Sequence, residues 1–340
     1  MAETSPSPRP RSRPWRLGIA GGTGLQAREV AELLPSSALS QAGEPVLRYF
    51  APGSKSPASN GAESDAGAER HLGGLGAEAV VLEPLNAANL EGLDAVFFAG
   101  SAAETRAAAP LVQAAGAWAV DLGSALAPGA KTLRVPHPAA QMLAAVLPAL
   151  TALGVAATAA TVFEPASERG MAGLEELRDQ SLRLLAAQSI PSAVFGAQIA
   201  YNLRVELGEE AQPPLAEVAA TIAADLRALG ASSGFALPAL QVLQAPVFHA
   251  HIISLLAEWP QPPASEALHA ALRSAPVAFC APGEPQPEAT SAAGESGVRV
   301  GAPRQDLLRP GIYWIPLSAD NLRLRAAAAV HLAARALGCL

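Results

Sequence analysis

This 340-residue chain has only six histidines and two cysteines, and one of the histidines stands at a conspicuous junction. His137 lies between two prolines in "VPHPAAQML", where a loop leads into a long apolar helix. Enzymes often place a nucleophile at a junction of this kind. The first helical residues, Pro138, Ala139 and Ala140, carry no thiol, hydroxyl or carboxylate. The sequence therefore predicts a junction without a nucleophile.

Two further histidines, His249 and His251, flank Ala250 in "PVFHAHII". A strand would place both side chains on one face, because side chains alternate along a strand. No third ligand lies nearby in the sequence, so we expect no metal site. One functional histidine and ordinary surface or core histidines stay open as interpretations.

The segment "GIAGGTGLQA" follows a short apolar run and opens a helical pattern. Glycines let a backbone approach a pyrophosphate, and the first N–H groups of a helix favour an anion. The pattern predicts a nucleotide site at Gly21, Gly22, Thr23, Gly24 and Leu25, although a tight structural turn would use the same residues. The second predicted strand ends without the Asp or Glu that binds an NAD ribose. Arg48 and Lys55 lie nearby, which favours NADP.

The elements around this loop alternate between strands and helices up to about residue 133. Apolar runs at 15–20, 45–51, 77–85, 93–101 and 117–125 predict strands, and residues 52–76 are predicted to form a long flexible loop. This alternation is typical of a doubly wound parallel sheet.

The pattern then changes to longer strands at 155–165 and 276–280, two strands within 235–259, a strand pair near 297–317, and helices between them. A flexible loop is predicted at 281–293, and the last helix ends before Gly338. We predict a Rossmann-type α/β domain at 16–132 and 319–340, an α+β domain at 133–318 and a disordered leader at 1–15.

The composition excludes several classes of protein. Half of the residues are hydrophobic, and no apolar run is long enough to span a membrane. The formal charge of −7 argues against a nucleic-acid binder. Two distant cysteines indicate neither a disulfide framework nor a metal cluster, so we expect a reducing, cytoplasmic setting.

The order of these segments resembles the aspartate-β-semialdehyde dehydrogenase family from about Leu17 to Leu337. The similar landmarks are "GIAGGTGLQAREVAELL", "LDAVFFAGSAAETRAAAPLVQAAGAWAVDLGSAL", "TVFEPASERGMAGLEELRDQ", "AQIAYNL", "VLQAPVFHAHI" and "ADNLRLRAA". The resemblance implies a Rossmann domain, a dimerisation domain and a homodimer. It also implies NADP contacts at Gly100, Ser101 and Asn321, and a reaction in which a cysteine thiolate, a glutamine and a histidine act on a phosphorylated substrate.

Five of the six chemical positions that the resemblance implies are changed. The thiolate position falls on Pro138 or Ala139, and the glutamine position holds Glu164. The arginine that would grip the substrate carboxylate is Gln244, and one phosphate-binding arginine is Ala127. The helix that should carry the phosphate-binding lysine has none. Only the histidine is kept, as His251, and the chain is similar to paralogues that lack the cysteine and carry "QAPVF".

Three hypotheses follow from this comparison. The first is a homodimeric paralogue that binds NADP but does not perform the thiolate-dependent reaction. The second is an NADP-linked oxidoreductase for another small carbonyl compound, with His251 and Glu164 as acid and base and direct hydride transfer. The third is a partner subunit of an authentic dehydrogenase or another enzyme of amino-acid biosynthesis.

Overall fold

The structure is a computed structural model that describes residues 13–41, 43–51, 71–75 and 78–340. The chain divides into two compact units. The first contains Met1–Val135 and Arg325–Leu340, and the second contains Pro136–Leu324. The predicted leader lies mostly outside the described residues, as do Lys55 and most of the predicted loop at 52–76.

The first unit is built on a seven-stranded sheet in the order β3-β4-β2-β1-β5-β6-β7. Its strands are β1 (Arg16–Ala20), β2 (Val46–Phe50), β3 (His71–Leu75), β4 (Glu78–Glu83), β5 (Ala95–Phe98), β6 (Trp118–Asp121) and β7 (Thr132–Arg134). Six strands are parallel, and β3 pairs antiparallel with β4. All four residues of β5 are buried, as a central parallel strand covered on both faces requires. The predicted Rossmann-type sheet is confirmed.

Two core clusters enclose this sheet. Its helices are α1 (Leu25–Leu33), α2 (Ala38–Gln41), α3 (Ala87–Leu90) and α4 (Ala102–Ala114), with the C-terminal part of α10 (Asn321–Ala336). One cluster joins Ile19 and Phe97 to Val30 of α1 and to alanines of α10. The other joins Phe50 and Phe98 to Val112 of α4. The small alanines let α10 lie close to the sheet.

The prediction of a loop throughout residues 52–76 was wrong for its last part. Residues 71–75, "HLGGL", form β3, which pairs with β4 from His71↔Leu82 to Leu75↔Glu78. Glycines weaken a strand but do not forbid it when an adjacent strand supplies the hydrogen bonds.

The second unit contains a mixed sheet in the order β11-β12-β14-β10-β8-β9, with β13 also paired to β14. Its strands are β8 (Ala157–Glu164), β9 (Ala239–Gln244), β10 (His251–Glu258), β11 (Ala278–Phe279), β12 (Arg299–Val300), β13 (Arg304–Gln305) and β14 (Ile312–Ala319). Burial alternates strictly along β8 and β10, so each strand turns one face to the core. This architecture agrees with the predicted α+β class.

Helices pack on the buried face of this sheet. The second unit contains α5 (Pro138–Ala152), α6 (Gly170–Leu185), α7 (Leu215–Ser233), α8 (Ser265–Ser274), α9 (Ala289–Ala292) and the first turn of α10. The core joins Leu143 and Leu147 of α5 to Ile222 of α7 and to Leu255 and Ile315 of the sheet. None of the described helices is long and apolar enough to cross a bilayer.

Two predictions about the second unit were wrong. His249 and His251 do not share a strand face, because β10 begins only at His251 and Ala250 has a φ of 71°. His251 is fully buried, whereas His249 is only partly buried. Within 281–293, Glu284 accepts a hydrogen bond from Ala281 N and Gln286 from Ala302 N, so the segment is ordered.

Candidate functional site

The glycine-rich loop connects β1 to α1 in the first unit. Gly21 has a φ of 131°, which favours glycine, and a Cβ there would lie 2.6 Å from the carbonyl carbon of Ala99. Gly22 has a φ of 63°. The loop therefore requires glycine for two reasons, its backbone conformation and its close approach to the chain that follows β5.

The start of α1 offers backbone N–H groups to an anion. Gly24 is the N-cap, and it supplies no capping side chain. The first helical hydrogen bond runs from Arg28 N to Gly24 O, so the preceding N–H groups have no carbonyl within the helix. Arg28 Nε also donates to Thr23 O at 2.9 Å, which fixes the loop. This arrangement fits a phosphate-bearing dinucleotide.

The loop after β5 is held beside Gly21. A Cβ on Gly100 would lie 3.3 Å from the Cα of Gly21. Ser101 caps α4 through a capping box, in which its N–H and hydroxyl contact Glu104 Oε2, each at 2.9 Å. The structure therefore brings seven predicted cofactor residues, 21–25, 100 and 101, to the carboxyl ends of two neighbouring strands.

Arg48 does not offer a free cation for an NADP phosphate. Its guanidinium forms an ion pair with Glu83 on β4 and donates to the Asn89 carbonyl. The nearby carboxylate already compensates the charge of Arg48, so Arg48 supports NADP binding less than the sequence predicted.

In the second unit, the start of α5 is occupied by the chain itself. His137 is the N-cap, and its Nδ1 accepts from Ala139 N at 3.2 Å. Pro138 has no N–H to offer. The carboxylate of Asp225 on α7 accepts from His137 N at 2.7 Å and holds the loop in place. Pro138, Ala139 and Ala140 are all buried.

Neither cysteine replaces the missing thiol in the second unit. Cys339 belongs to the first unit. Cys280 directly follows β11, which lies three strands from β10 in the sheet order. Neighbouring strands are about 4.8 Å apart, so Cys280 lies about 14 Å from the strand that carries His251.

Glu164 and His251 lie at facing ends of two paired strands. The β8–β10 register pairs Phe163 with Ile252, which places Glu164 opposite His251. Both side chains are buried, with exposed fractions of 1% and 0%. Ligand-type atoms of His137, Glu164 and His251 all lie within 4.8 Å of one another. The two predicted catalytic residues thus meet, together with the histidine of the α5 junction.

Glu168 is a member of this group that sequence reasoning missed. Its carboxylate lies 3.9 Å from His137 Nε2 and 3.8 Å from His251 Nδ1. The two imidazole rings are 5.3 Å apart and edge to face. The sequence feature that could have identified Glu168 is its position four residues after Glu164 and three residues after Pro165. We call His137, Glu164, Glu168 and His251 the histidine–glutamate cluster.

Asn321 supports the cluster from the start of α10. Its Nδ2 donates to Glu168 Oε1 at 2.9 Å. Its Oδ1 accepts from Ser167 Oγ at 3.1 Å and from Ala250 N at 3.2 Å. Asn321 is fully buried, and both ends of its amide serve the second unit. A cofactor contact at Asn321 stays a prediction.

One guanidinium lies close to the carboxylates. Burial lowers the pKa of Arg169, while Glu164, Glu168 and Glu176 oppose that shift by their negative charge. Arg169 also stacks over Phe195, with 5.4 Å between the guanidinium carbon and the ring centre. Arg169 therefore supplies positive charge near all three carboxylates.

Gln244 does not form a substrate clamp. It is fully buried, and its Nε2 donates to Glu164 O at 2.9 Å and to Ala245 O at 3.2 Å. Its amide therefore satisfies backbone carbonyls at the end of β9. An arginine would have brought a bidentate charge to this place.

Comparison with known proteins agrees with this fold. The model of the family "Semialdehyde dehydrogenase, dimerisation domain" matches residues 146–324. An aspartate-semialdehyde dehydrogenase from Shewanella violacea is 26% identical over 189 residues, which are 55% of this chain and 56% of the relative. The chain thus matches about half the length of that curated relative.

Two solved structures resemble the whole chain. A probable aspartate-semialdehyde dehydrogenase from Pseudomonas aeruginosa has a TM-score of 0.76 at 23% identity, over 96% of this chain and 98% of that one. The aspartate semialdehyde dehydrogenase with NADP from Candida albicans has a TM-score of 0.58 at 17% identity, over 96% and 99%. At these identities the likeness shows the fold. Because the dimerisation-domain model matches more than half of the chain, over residues 146–324, this chain belongs to the semialdehyde dehydrogenase family.

Proposed function

We propose that this protein is a homodimeric, NADP-binding member of the family that does not perform the thiolate-dependent dehydrogenase reaction. One observation carries the proposal. The start of α5 presents buried Pro138 and Ala139, and the imidazole of His137 accepts the N–H of Ala139. A thioester needs a nucleophile at the reacting carbonyl, and this junction supplies none.

The first unit supports NADP binding. Gly21 has no side chain at a position where a Cβ would collide with Ala99. The N–H groups at the start of α1 can bind an anion. When bound, NADP supplies a hydride acceptor or donor. Residues 21–25 and Gly100 would hold its phosphates. The Candida albicans relative described with NADP supports the choice of cofactor.

The second unit supports homodimerisation. Opposite the helix-covered core, one face of the sheet carries Ile252 and Leu256 of β10, and the register pairs Ile252 with Phe163 on β8 and Leu256 with Trp314 on β14. Phe163, Ile252 and Leu256 are only partly buried, and Trp314 is 39% exposed. An apolar face of this kind fits a second copy of the same chain, as the name of the matched family indicates.

The thiolate reaction is tested directly by supplying aspartate semialdehyde, NADP and phosphate and following NADPH formation. We expect no turnover above the uncatalysed rate, while calorimetry shows NADP binding. Saturation with NADP to 100 times its Kd would stabilise the protein by about 2.7 kcal/mol. Turnover at about 1 s⁻¹ or faster would contradict the loss of the reaction. Absence of binding to both NADP and NAD would contradict the nucleotide site.

Dimerisation is tested with a matched pair of charged substitutions. Leu256→Asp places a carboxylate on the partly buried sheet face, and Leu182→Asp places one on α6, where 60% of Leu182 is exposed. Sedimentation should show a dimer for wild type and Leu182→Asp and a monomer for Leu256→Asp. A monomeric wild type would refute this part of the proposal.

A second function is favoured by the proximity of Glu164 and His251. A buried carboxylate and imidazole within 4.8 Å of each other can pass a proton to and from a carbonyl oxygen during direct hydride transfer. A screen of small aldehydes and oxo acids with NADPH tests this alternative. Any activity that depends on these residues should fall about 100-fold or more in Glu164→Gln. Activity unchanged in Glu164→Gln and His251→Gln would exclude it.

A further inference from the structure

We propose that His137, Glu164 and His251 form a binding site for a divalent transition-metal ion of the zinc class. Their ligand-type atoms all lie within 4.8 Å of one another, and all three residues are buried. The metal site requires neither a bound dinucleotide nor redox activity, so its test is independent of the tests of the proposed function.

The three ligands come from three separate elements. His137 precedes α5, Glu164 ends β8 and His251 begins β10. Ligands at about 2.0–2.2 Å around tetrahedral zinc are about 3.4 Å apart. The observed spacing therefore closes onto one ion with shifts of under about 1 Å for each side chain, which rotamer adjustment supplies.

Glu168 and Asn321 lie behind the ligands, where a metal-bound histidine usually has a hydrogen-bonded carboxylate. A metal-ligating imidazole generally gives its second nitrogen to a carboxylate. Glu168 lies 3.8 Å from His251 Nδ1, and Asn321 Nδ2 fixes that carboxylate at 2.9 Å. Glu168 is thus placed to accept from one ring nitrogen of His251 when the other binds the ion.

His137 must lose one hydrogen bond in order to bind the ion. Its Nδ1 accepts the N–H of Ala139 at 3.2 Å, so the neutral ring carries its proton on Nε2. Binding through either nitrogen costs this single long hydrogen bond. The loss is small beside the free energy with which three protein ligands hold zinc.

The charge and chemistry of the ligands select the class of ion. Glu164, Glu168 and Glu176 all act electrostatically on Arg169, and a divalent cation would offset part of the negative charge of these buried carboxylates. Two imidazoles and a carboxylate suit zinc and its neighbours, whereas calcium and magnesium prefer oxygen ligands throughout. Three protein ligands leave a fourth position for water, a carbonyl oxygen or Glu168.

The test uses the full chain without a histidine tag, stripped with a chelator and titrated with Zn²⁺ alone by calorimetry. We expect one equivalent per chain. Glu164→Gln and His251→Gln should weaken binding by about 100-fold or more, and Glu168→Gln by about 10- to 100-fold. The matched control is His269→Gln on α8, because His269 is a partly buried histidine that stacks on Phe279. Its affinity should equal that of wild type.

Two results would overturn the site. One is a wild-type chain that binds less than one equivalent of Zn²⁺. The other is equal affinity in wild type and His251→Gln, which would place the ion elsewhere. If the ligand variants do not fold, Co²⁺ added to the wild-type chain decides the question. Intense visible bands of four-coordinate Co²⁺ support the site, and the weak bands of hydrated Co²⁺ refute it.

Discussion

Two junctions where the chain enters a helix differ in what occupies the helix start. At α1 the chain supplies glycines, and Gly24 offers no capping side chain. At α5 the corresponding place holds Pro138, which lacks an N–H, and the imidazole of His137 takes the next N–H. The first helix start is open to an anion, and the second is satisfied by the protein itself. A helix N-terminus is therefore a site only when its own chain leaves it open.

The buried surroundings of the two junctions differ in the same sense. The loop before α1 packs against backbone, with Gly21 beside Ala99 and Gly100. The loop before α5 packs against carboxylates, with Asp225 on its backbone and Glu168 near its imidazole. The first junction is thus shaped by steric fit, and the second by charge and hydrogen bonds.

The largest effect is expected from a substitution in the glycine loop before α1. Gly21→Ala forces a Cβ to within 2.6 Å of backbone at a φ of 131°. We expect a loss of about 3 kcal/mol of unfolding free energy in urea, together with loss of NADP binding. Gly24→Ala is the control, since its φ is −61° and its nearest contact is 3.4 Å. It should cost less than about 1 kcal/mol. Equal effects would show that the loop does not depend on glycine at position 21.

A smaller effect is expected from a substitution that removes the carboxylate contact of the loop before α5. Asp225→Ala leaves the buried N–H of His137 without its carboxylate acceptor and should cost about 2 kcal/mol in urea unfolding. Arg227→Ala, two residues along on the exposed side of α7, should stay within about 0.5 kcal/mol. A change of under 0.5 kcal/mol in Asp225→Ala would mean that the loop before α5 is fixed by packing alone.

The smallest effect restores a thiol to the second junction. Ala139→Cys adds one atom at a fully buried position and should cost about 1 kcal/mol or less. We expect no aspartate-semialdehyde turnover, because a thiol alone does not restore the substrate clamp that Gln244 fails to provide. Recovery of turnover in this single variant would show that only the nucleophile had been lost.

Local patterns in the sequence predicted most of the fold. The alternation of strands and helices and the glycine loop follow from periodicity and from turn chemistry within a few residues. His249 was misplaced because alternation fails where Ala250 adopts a φ of 71°. The strand at 71–75 was missed because its glycines are supported by pairing with β4 rather than by their own propensity.

The cluster itself was beyond local patterns. Asp225 reaches His137 from 88 residues away, and Asn321 reaches Glu168 from 153 residues away. His137 was discussed only as the neighbour of a missing nucleophile, and no third ligand was expected near His251. Contacts of this range depend on the sheet order, which periodicity does not specify.

The amide of Asn321 also has a consequence for how the chain folds. It joins Ser167 across 154 residues and Ala250 across 71, and it lies near the end of the second unit. During synthesis the N-terminal portion of this unit leaves the ribosome long before residue 321 does. Loop closure over such separations is slow and costs entropy. We therefore expect the buried carboxylates and imidazoles to stay hydrated until most of the unit has been made.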